Sequence, residues 1–196
     1  MRARREFVAD SFLGYCFNLC IREGRCFGVR GAAGGFDAAA LCMPPGAVRG
    51  GVVLPWWRAL RLLLRDGLPP CMRREHAAAF GDVARRLDDI DPHMMYGHKK
   101  YAPGPHWYVQ ALGTRPGVQA RGLGAALLAG VADMAAAQRV PVYLECCGEF
   151  NLAYYSRRGF KNMEERTVAD EHARGGVKWN IKGYAMLMQP PAAPRS

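Results

Sequence analysis

Val118-Gln119-Ala120-Arg121-Gly122-Leu123-Gly124-Ala125-Ala126-Leu127-Leu128 sets two glycines, at positions i and i+2, at the opening of a helix-forming run. Ahead of it, Trp107-Tyr108-Val109-Gln110-Ala111-Leu112 is rich in β-formers and Arg115-Pro116-Gly117 breaks it, while Ala125 to Gln138 carries strong helix formers. Strand, breaker, glycine turn and helix, in that order, is the layout of a phosphate-binding turn. Without Cβ atoms at Gly122 and Gly124, backbone N–H groups at the positive end of a helix can converge on an anion.

A dinucleotide fingerprint fits this turn poorly, because Leu127 stands where a third glycine belongs. A nucleoside-triphosphate loop does not fit at all: Gly124 is followed by Ala125-Ala126 instead of Lys-Ser/Thr, so nothing would reach a γ-phosphate or hold magnesium. The pattern that fits is Gln/Arg-x-x-Gly-x-Gly/Ala, met by Gln119, Gly122 and Gly124. Downstream, Val142-Tyr143-Leu144-Glu145-Cys146 is a β-type run, followed by Asn151-Leu152-Ala153-Tyr154-Tyr155-Ser156-Arg157-Arg158-Gly159-Phe160. Together these segments resemble the GNAT N-acetyltransferase superfamily in its pyrophosphate loop and its Asn…Tyr…Gly-Phe signature. His106-Trp107-Tyr108-Val109, Leu144-Glu145 and Asn151-Leu152 are most similar to the branch that includes puromycin N-acetyltransferase. The similarity runs from Phe36 to Phe160 and is strongest from His106 on.

The resemblance implies an α/β fold with a GNAT-type mixed central sheet flanked by helices, and acetyl-CoA as acetyl donor. It implies cofactor contacts at Leu112, Gly113 and Thr114 on the central strand, at Gln119, Ala120, Arg121, Gly122, Leu123, Gly124 and Ala125 in the loop, and at Asn151. Acetyl transfer to an amine needs a neutral nitrogen, stabilisation of a developing oxyanion, and a proton for the departing thiolate. A backbone N–H near Leu112, in a gap where strand pairing parts, would serve the oxyanion. Tyr155 stands at the family's general-acid position. Glu145, at a strand end, is the carboxylate expected to take the amine's proton if burial lifts its pKa. Gln110 occupies a position where many relatives carry Glu, and an amide cannot act as a base there. Such folds usually begin with a strand and a helix ahead of the segment at Phe7 to Cys20; here six residues precede it, so a shortened N-terminus is expected.

The 196 residues, half of them hydrophobic, suit a single acetyltransferase domain over residues 1–189 with a frayed tail at 190–196. No apolar stretch reaches the length of a membrane span, and Met1 to Asp10 has no long apolar core. No membrane association and a cytoplasmic location are expected. Seven cysteines form no Cys-x-x-Cys pair, so neither a disulfide framework nor a metal site is indicated. Cys146 and Cys147 are read as packing groups, and the five histidines show no ligand spacing. The net charge of +10 is spread over scattered arginines. No nucleic-acid partner is expected; the nearest basic side chains to the loop are Arg115 and Arg121. The acceptor is expected to be a small-molecule amine, and a homodimer is left open.

Elsewhere, Phe7 to Cys20 reads as a helix with Phe12, Tyr15, Cys16 and Leu19 on one stripe. Arg25 to Arg30 and Phe36 to Met43 read as a hairpin around Gly31-Ala32-Ala33-Gly34-Gly35. Trp56 to Arg65 and Arg74 to Leu87 read as helices, and Asp89 to Pro105 as a loop. Met163 to Val168 and Val177 to Met188 read as two closing antiparallel strands. Trp56-Trp57 and Met94-Met95-Tyr96 could line an acceptor pocket. The rival to an enzyme is a catalytically weak or inactive acetyl-CoA-binding module that senses or interacts; basic nucleic-acid binding ranks last.

Overall fold

The computed structural model describes residues 20–32, 34–47, 64, 96–169 and 180–191. Among them the chain runs β1 (Arg25–Arg30), β2 (Phe36–Met43), β3 (Trp107–Thr114), α1 (Leu123–Gln138), β4 (Val142–Cys147), α2 (Glu149–Ser156), β5 (Lys161–Ala169) and β6 (Asn180–Met188). These strands form a six-stranded sheet in the order β1-β2-β3-β4-β6-β5. Only β3 and β4 pair in parallel; every other neighbour is antiparallel. The parallel pair is central because its crossover is α1, which covers one face.

Alternation along the central strands sorts side chains to two faces. Trp107 and Val109 of β3, and Val142, Leu144 and Cys146 of β4, pack with Leu128, Val131 and Ala135 of α1. Those three positions and Gly124 form the buried stripe of α1, and their small or aliphatic side chains let the helix lie close to the sheet. Trp107 Nε1 donates to Gln138 Oε1 at 3.1 Å, tying the start of β3 to the end of α1. On the opposite face Tyr108 and Tyr143 join Cys20, Leu41, Met43, Ala102 and Leu187. Glu145 alternates with Leu144 and Cys146, and so shares this second face with Tyr143.

The hairpin and the two closing strands agree with the sequence pattern to within a few residues at each end. Residues 96–101, assigned to a loop by their Pro, Gly and His content, are helical instead. Packing of His98 between Tyr108 and Tyr143 overrides that composition, with ring centroids 4.5 and 4.6 Å apart. Residues 20–23 are helical, consistent with the end of the expected first helix. The rest of that helix, the helices expected at Trp56 to Arg65 (Leu64 apart) and at Arg74 to Leu87, and residues 177–179 lie outside the described residues.

Gly24 closes the first helical segment by donating to the Cys20 carbonyl at 3.0 Å. A Cβ built there would lie 2.4 Å from the Cys42 carbonyl oxygen and 2.9 Å from Met43 Sδ. The obstacle is backbone in a paired strand, so it cannot swing away. Gly24→Ala is expected to destabilise the protein by about 1–3 kcal/mol in denaturant unfolding, as overpacking of a closed site does.

Candidate functional site

The parallel pairing of β3 with β4 lasts for two residue pairs, Trp107 with Val142 and Tyr108 with Tyr143. Beyond them the strands diverge. On the far side of β3, the register with β2 slips between Leu41 and Cys42, which pair with Ala111 and Val109, so Gln110 is the extra residue of a bulge. Its side-chain oxygen accepts from Cys20 Sγ at 3.1 Å. A bulge bends its strand and adds twist, and here it sits where β3 leaves β4.

The divergence opens into a cleft of about 570 Å³. One wall is the end of β3, with Leu112, Gly113 and Thr114; the floor is the loop and first turn of α1, with Gln119, Ala120, Gly122, Leu123, Gly124 and Ala125. The other wall is α2 and the turn at its C-terminal end, with Phe150, Asn151, Tyr154, Tyr155 and Arg158. Gly122 caps α1 in a left-handed conformation, φ 77°, and Ala120 is left-handed as well, φ 61°. Among the described residues no side chain caps this helix end, and no acidic residue lies in its first turn, so its positive end faces the cleft. Gly124 lets Tyr154 approach closely: a Cβ there would lie 2.8 Å from Tyr154 Oη, which would have to shift.

Every loop and strand residue expected to touch a cofactor lines this cleft except Arg121, which is exposed on the same loop. Asn151 lines it too, but its Nδ2 donates to the Cys147 carbonyl at 2.8 Å, which ties α2 to the end of β4. Arg115, expected near the anion, is instead held by Asp37 at 2.6 Å across the β2–β3 pair. The cleft's arginine is Arg158. Its guanidinium stacks 3.5 Å above the Tyr154 ring, Nη1 donates to the Tyr154 carbonyl at 2.6 Å, and its Nε is buried without a hydrogen-bond partner among the described residues. Sequence reading missed Arg158, Tyr154 and Phe150. The available signal was the helical spacing of Tyr154 and Arg158, which sets them on one face.

Tyr155 packs edge-on to Tyr154 and Phe160 while lining the cleft. Burial pushes its phenol up to about 12, so it keeps its proton at neutral pH. Burial likewise pushes Cys146 up to about 12 and raises Cys147, which leaves both as unreactive thiols.

Glu145 does not line the cleft. It lies on the other face of β4 beside the helical segment 96–101, with Oε1 3.4 Å from His98 Nε2. Desolvation pushes its carboxyl up to about 7, with the hydroxyls of Tyr143 and Tyr108 acting in the opposite sense. Both carboxyl oxygens and Tyr143 Oη are buried without a well-formed hydrogen bond among the described residues. His98, absent from any motif, and His106, which opens the His106-Trp107-Tyr108-Val109 segment, are 2% and 3% exposed and complete this cluster.

Residues 77–160 match the sequence model described as the acetyltransferase (GNAT) family. No curated protein matches the chain. Among solved structures, one titled histone acetyltransferase HPA2 and related acetyltransferase, from Corynebacterium glutamicum, is 20% identical, with 97% of this chain and 80% of that one covered at a TM-score of 0.52. A mutant agmatine N-acetyltransferase in its apo form is 15% identical over 96% of this chain and 83% of its own, at 0.55. Arylalkylamine N-acetyltransferase 2 from Aedes aegypti is 12% identical over 90% and 77%, at 0.53. At such identities the likeness establishes the fold.

The raised carboxyl has a consequence for stability. Below its ordinary value of 4.5, Glu145 is protonated in the folded and the unfolded chain alike; between there and about 7 only the unfolded chain gains by ionising. Stability is therefore lost as pH rises through that window, by about 3 kcal/mol in full. The buried histidines act with the opposite sign, since burial lowers both and holds them neutral. Comparison with Glu145→Gln at each pH isolates the carboxyl: the wild type's advantage over the variant is expected to shrink by about 3 kcal/mol between pH 4 and 8 in urea unfolding.

Proposed function

We propose that this chain, whose residues 77–160 match the acetyltransferase (GNAT) family model and whose fold is similar to N-acetyltransferase structures, is a GNAT acetyltransferase that transfers acetyl from acetyl-CoA to a primary amine of a small molecule by direct attack in a ternary complex. The observation that carries the reading is the cleft itself. A strand edge, an uncapped helix end on a glycine turn and a protonated tyrosine meet where two parallel strands part. The amine class draws on the names of the agmatine and arylalkylamine enzymes, whose folds are similar. His106-Trp107-Tyr108-Val109, Leu144-Glu145 and Asn151-Leu152 support the branch that includes puromycin N-acetyltransferase.

Acetyl-CoA, when bound, supplies an activated acetyl thioester and a pyrophosphate. The residues fit such a group: the cradle at Gly122 and Gly124 offers backbone N–H groups at the positive end of α1, and the stacked Arg158 offers charge from the opposite wall. Leu112, Gly113 and Thr114 present the edge that β3 leaves unpaired with β4, with polar backbone groups for an amide-rich chain. A backbone N–H near Leu112 is suited to meet negative charge developing on a carbonyl oxygen. Tyr155 acts as a proton donor, because its phenol stays protonated. Glu145 takes the proton from the acceptor's ammonium group. The raised Cys146 and Cys147 thiols favour direct attack over an acyl-enzyme.

One observation favours a second reading, an acetyl-CoA-binding module with little or no turnover: Glu145 stands outside the cleft lining. The two readings share the first test and part at the second. Acetyl-CoA at 100 times its dissociation constant should stabilise the protein by about 2.7 kcal/mol in thermal unfolding, while NADH and ATP leave it unchanged. No selective shift would sink both. Arg158→Ala should weaken acetyl-CoA about tenfold by calorimetry, the loss of one charge-assisted contact. In a thiol-release assay over a panel of primary amines, Tyr155→Phe should lower kcat with acetyl-CoA affinity retained; binding without thiol release from any amine would favour the module.

A further inference from the structure

We propose that His98 and His106 are positioning residues: a one-way hydrogen-bond relay, anchored on the Gly104 carbonyl, that presents a bare ring nitrogen to Glu145 and so prepares this carboxyl to hold a proton. The proposal deepens the acetyltransferase reading and rests on it for the identity of the proton moved. The relay itself follows from the geometry.

Its direction is forced one atom at a time. His106 Nδ1 lies 2.8 Å from the Gly104 carbonyl oxygen, which can only accept, so Nδ1 carries the hydrogen. His106 is 3% exposed and neutral, which leaves Nε2 as a bare acceptor. His98 Nδ1 lies 3.2 Å from that nitrogen and must therefore donate to it. His98 is 2% exposed and neutral in turn, so its own Nε2 is bare, and this atom faces Glu145 Oε1 at 3.4 Å. A bare nitrogen and an ionised carboxylate repel each other. A protonated carboxyl turns the same contact into an O–H donating to Nε2, closed by a movement of a few tenths of an ångström.

Among the described residues, the other groups around the carboxyl supply no competing cation. β4 contributes Tyr143 and the raised thiols of Cys146 and Cys147; β3 contributes Tyr108; helical segment 96–101 contributes His98 and the close backbone of Gly97, where a Cβ would lie 3.8 Å from Glu145 Oε1. Farther out, Tyr101 donates to Glu164, which also binds Lys100 and Arg166, so both of those cations are held at Glu164. Desolvation pushes His98 down to about 3 and Glu145 up to about 7, in line with a proton that resides on the carboxyl.

In the reaction, Glu145 starts ionised; an ammonium N–H bond breaks and an O–H bond forms on the carboxylate. The nitrogen keeps its electron pair for attack, and the new O–H donates to His98 Nε2. Neither histidine gains or loses a proton. Their part is to make the protonated carboxyl the satisfied state, since hydrogen bonding to the neutral form raises a carboxyl's proton affinity.

The test is long-range 1H–15N correlation on the full chain, labelled with 15N-histidine, between pH 5.5 and 8.5, with no acetyl-CoA present. The expected result is that His98 and His106 both stay in the Nδ1–H tautomer, and that the His98 Nε2 shift titrates with a midpoint near neutrality in the wild type but not in Glu145→Gln. A His98 found as the Nε2–H tautomer, or a titration that Glu145→Gln leaves intact, would overturn the relay. Neither result depends on acetyl-CoA. The thermal shift reports separately on the acetyltransferase reading, so the two can fail independently.

Discussion

Two residue pairs hold β3 and β4 in parallel register, and the cleft lies beyond them. A sheet that stayed zipped would satisfy the backbone groups of Leu112 to Thr114 internally and leave no cleft. The separation persists because each strand has another partner. β3 remains bonded to β2 along its length, and β4 is bonded to β6 from Val142 to Cys147. The sheet therefore parts without either strand losing its place. The Gln110 bulge bends β3 near the point of departure.

That opening is closed on one side by two helices that differ in how they are held. α1 lies along the sheet on a stripe of small and aliphatic residues, and its free positive end is aimed into the gap. α2 is short, has no fully buried residue of its own, and adds polar ties to the packing of Leu152, Tyr154 and Tyr155 on the core: Tyr184 donates to Glu149 at 2.7 Å, and Asn151 to the Cys147 carbonyl. Tyr154 is the joint between them, with its hydroxyl against Gly124 and its ring under Arg158. This anchoring places Tyr155 and Arg158 on the cleft wall without burying the helix that carries them.

The opposite face of the sheet is polar where a core would ordinarily be apolar. His98, His106, Tyr108, Tyr143 and Glu145 form one buried cluster, with aromatic contacts among the rings. Leaving buried polar atoms short of partners costs on the order of 1–3 kcal/mol each. Among the described residues, three of the four such side-chain atoms, the two Glu145 oxygens and Tyr143 Oη, are neighbours in this cluster, and the fourth is Arg158 Nε in the cleft. The cost is concentrated where a titrating carboxyl would be useful.

The sequence by itself determined the local parts of this protein. Short-range chemistry decides the glycine turn, the helix after it, the β1–β2 hairpin and the β-type runs on either side of α1, and that chemistry is written in consecutive residues. Alternation in β4 set Glu145 on the face opposite Leu144 and Cys146. The motif residues Leu112 to Thr114 and Gln119 to Ala125, together with Asn151 and Tyr155, were legible for the same reason, and the structure gathers them, Arg121 apart, into one cleft. Only the tertiary structure decided what depends on residues far apart in the chain. It inserted β6 between β4 and β5, spent Arg115 on Asp37 and brought Arg158 to the cleft in its place, and made a helical turn of residues 96–101. It also set His98 against Glu145 across 47 positions of sequence. No local pattern encodes that contact, because burial and a carboxyl's proton affinity are properties of the surroundings and not of the residue.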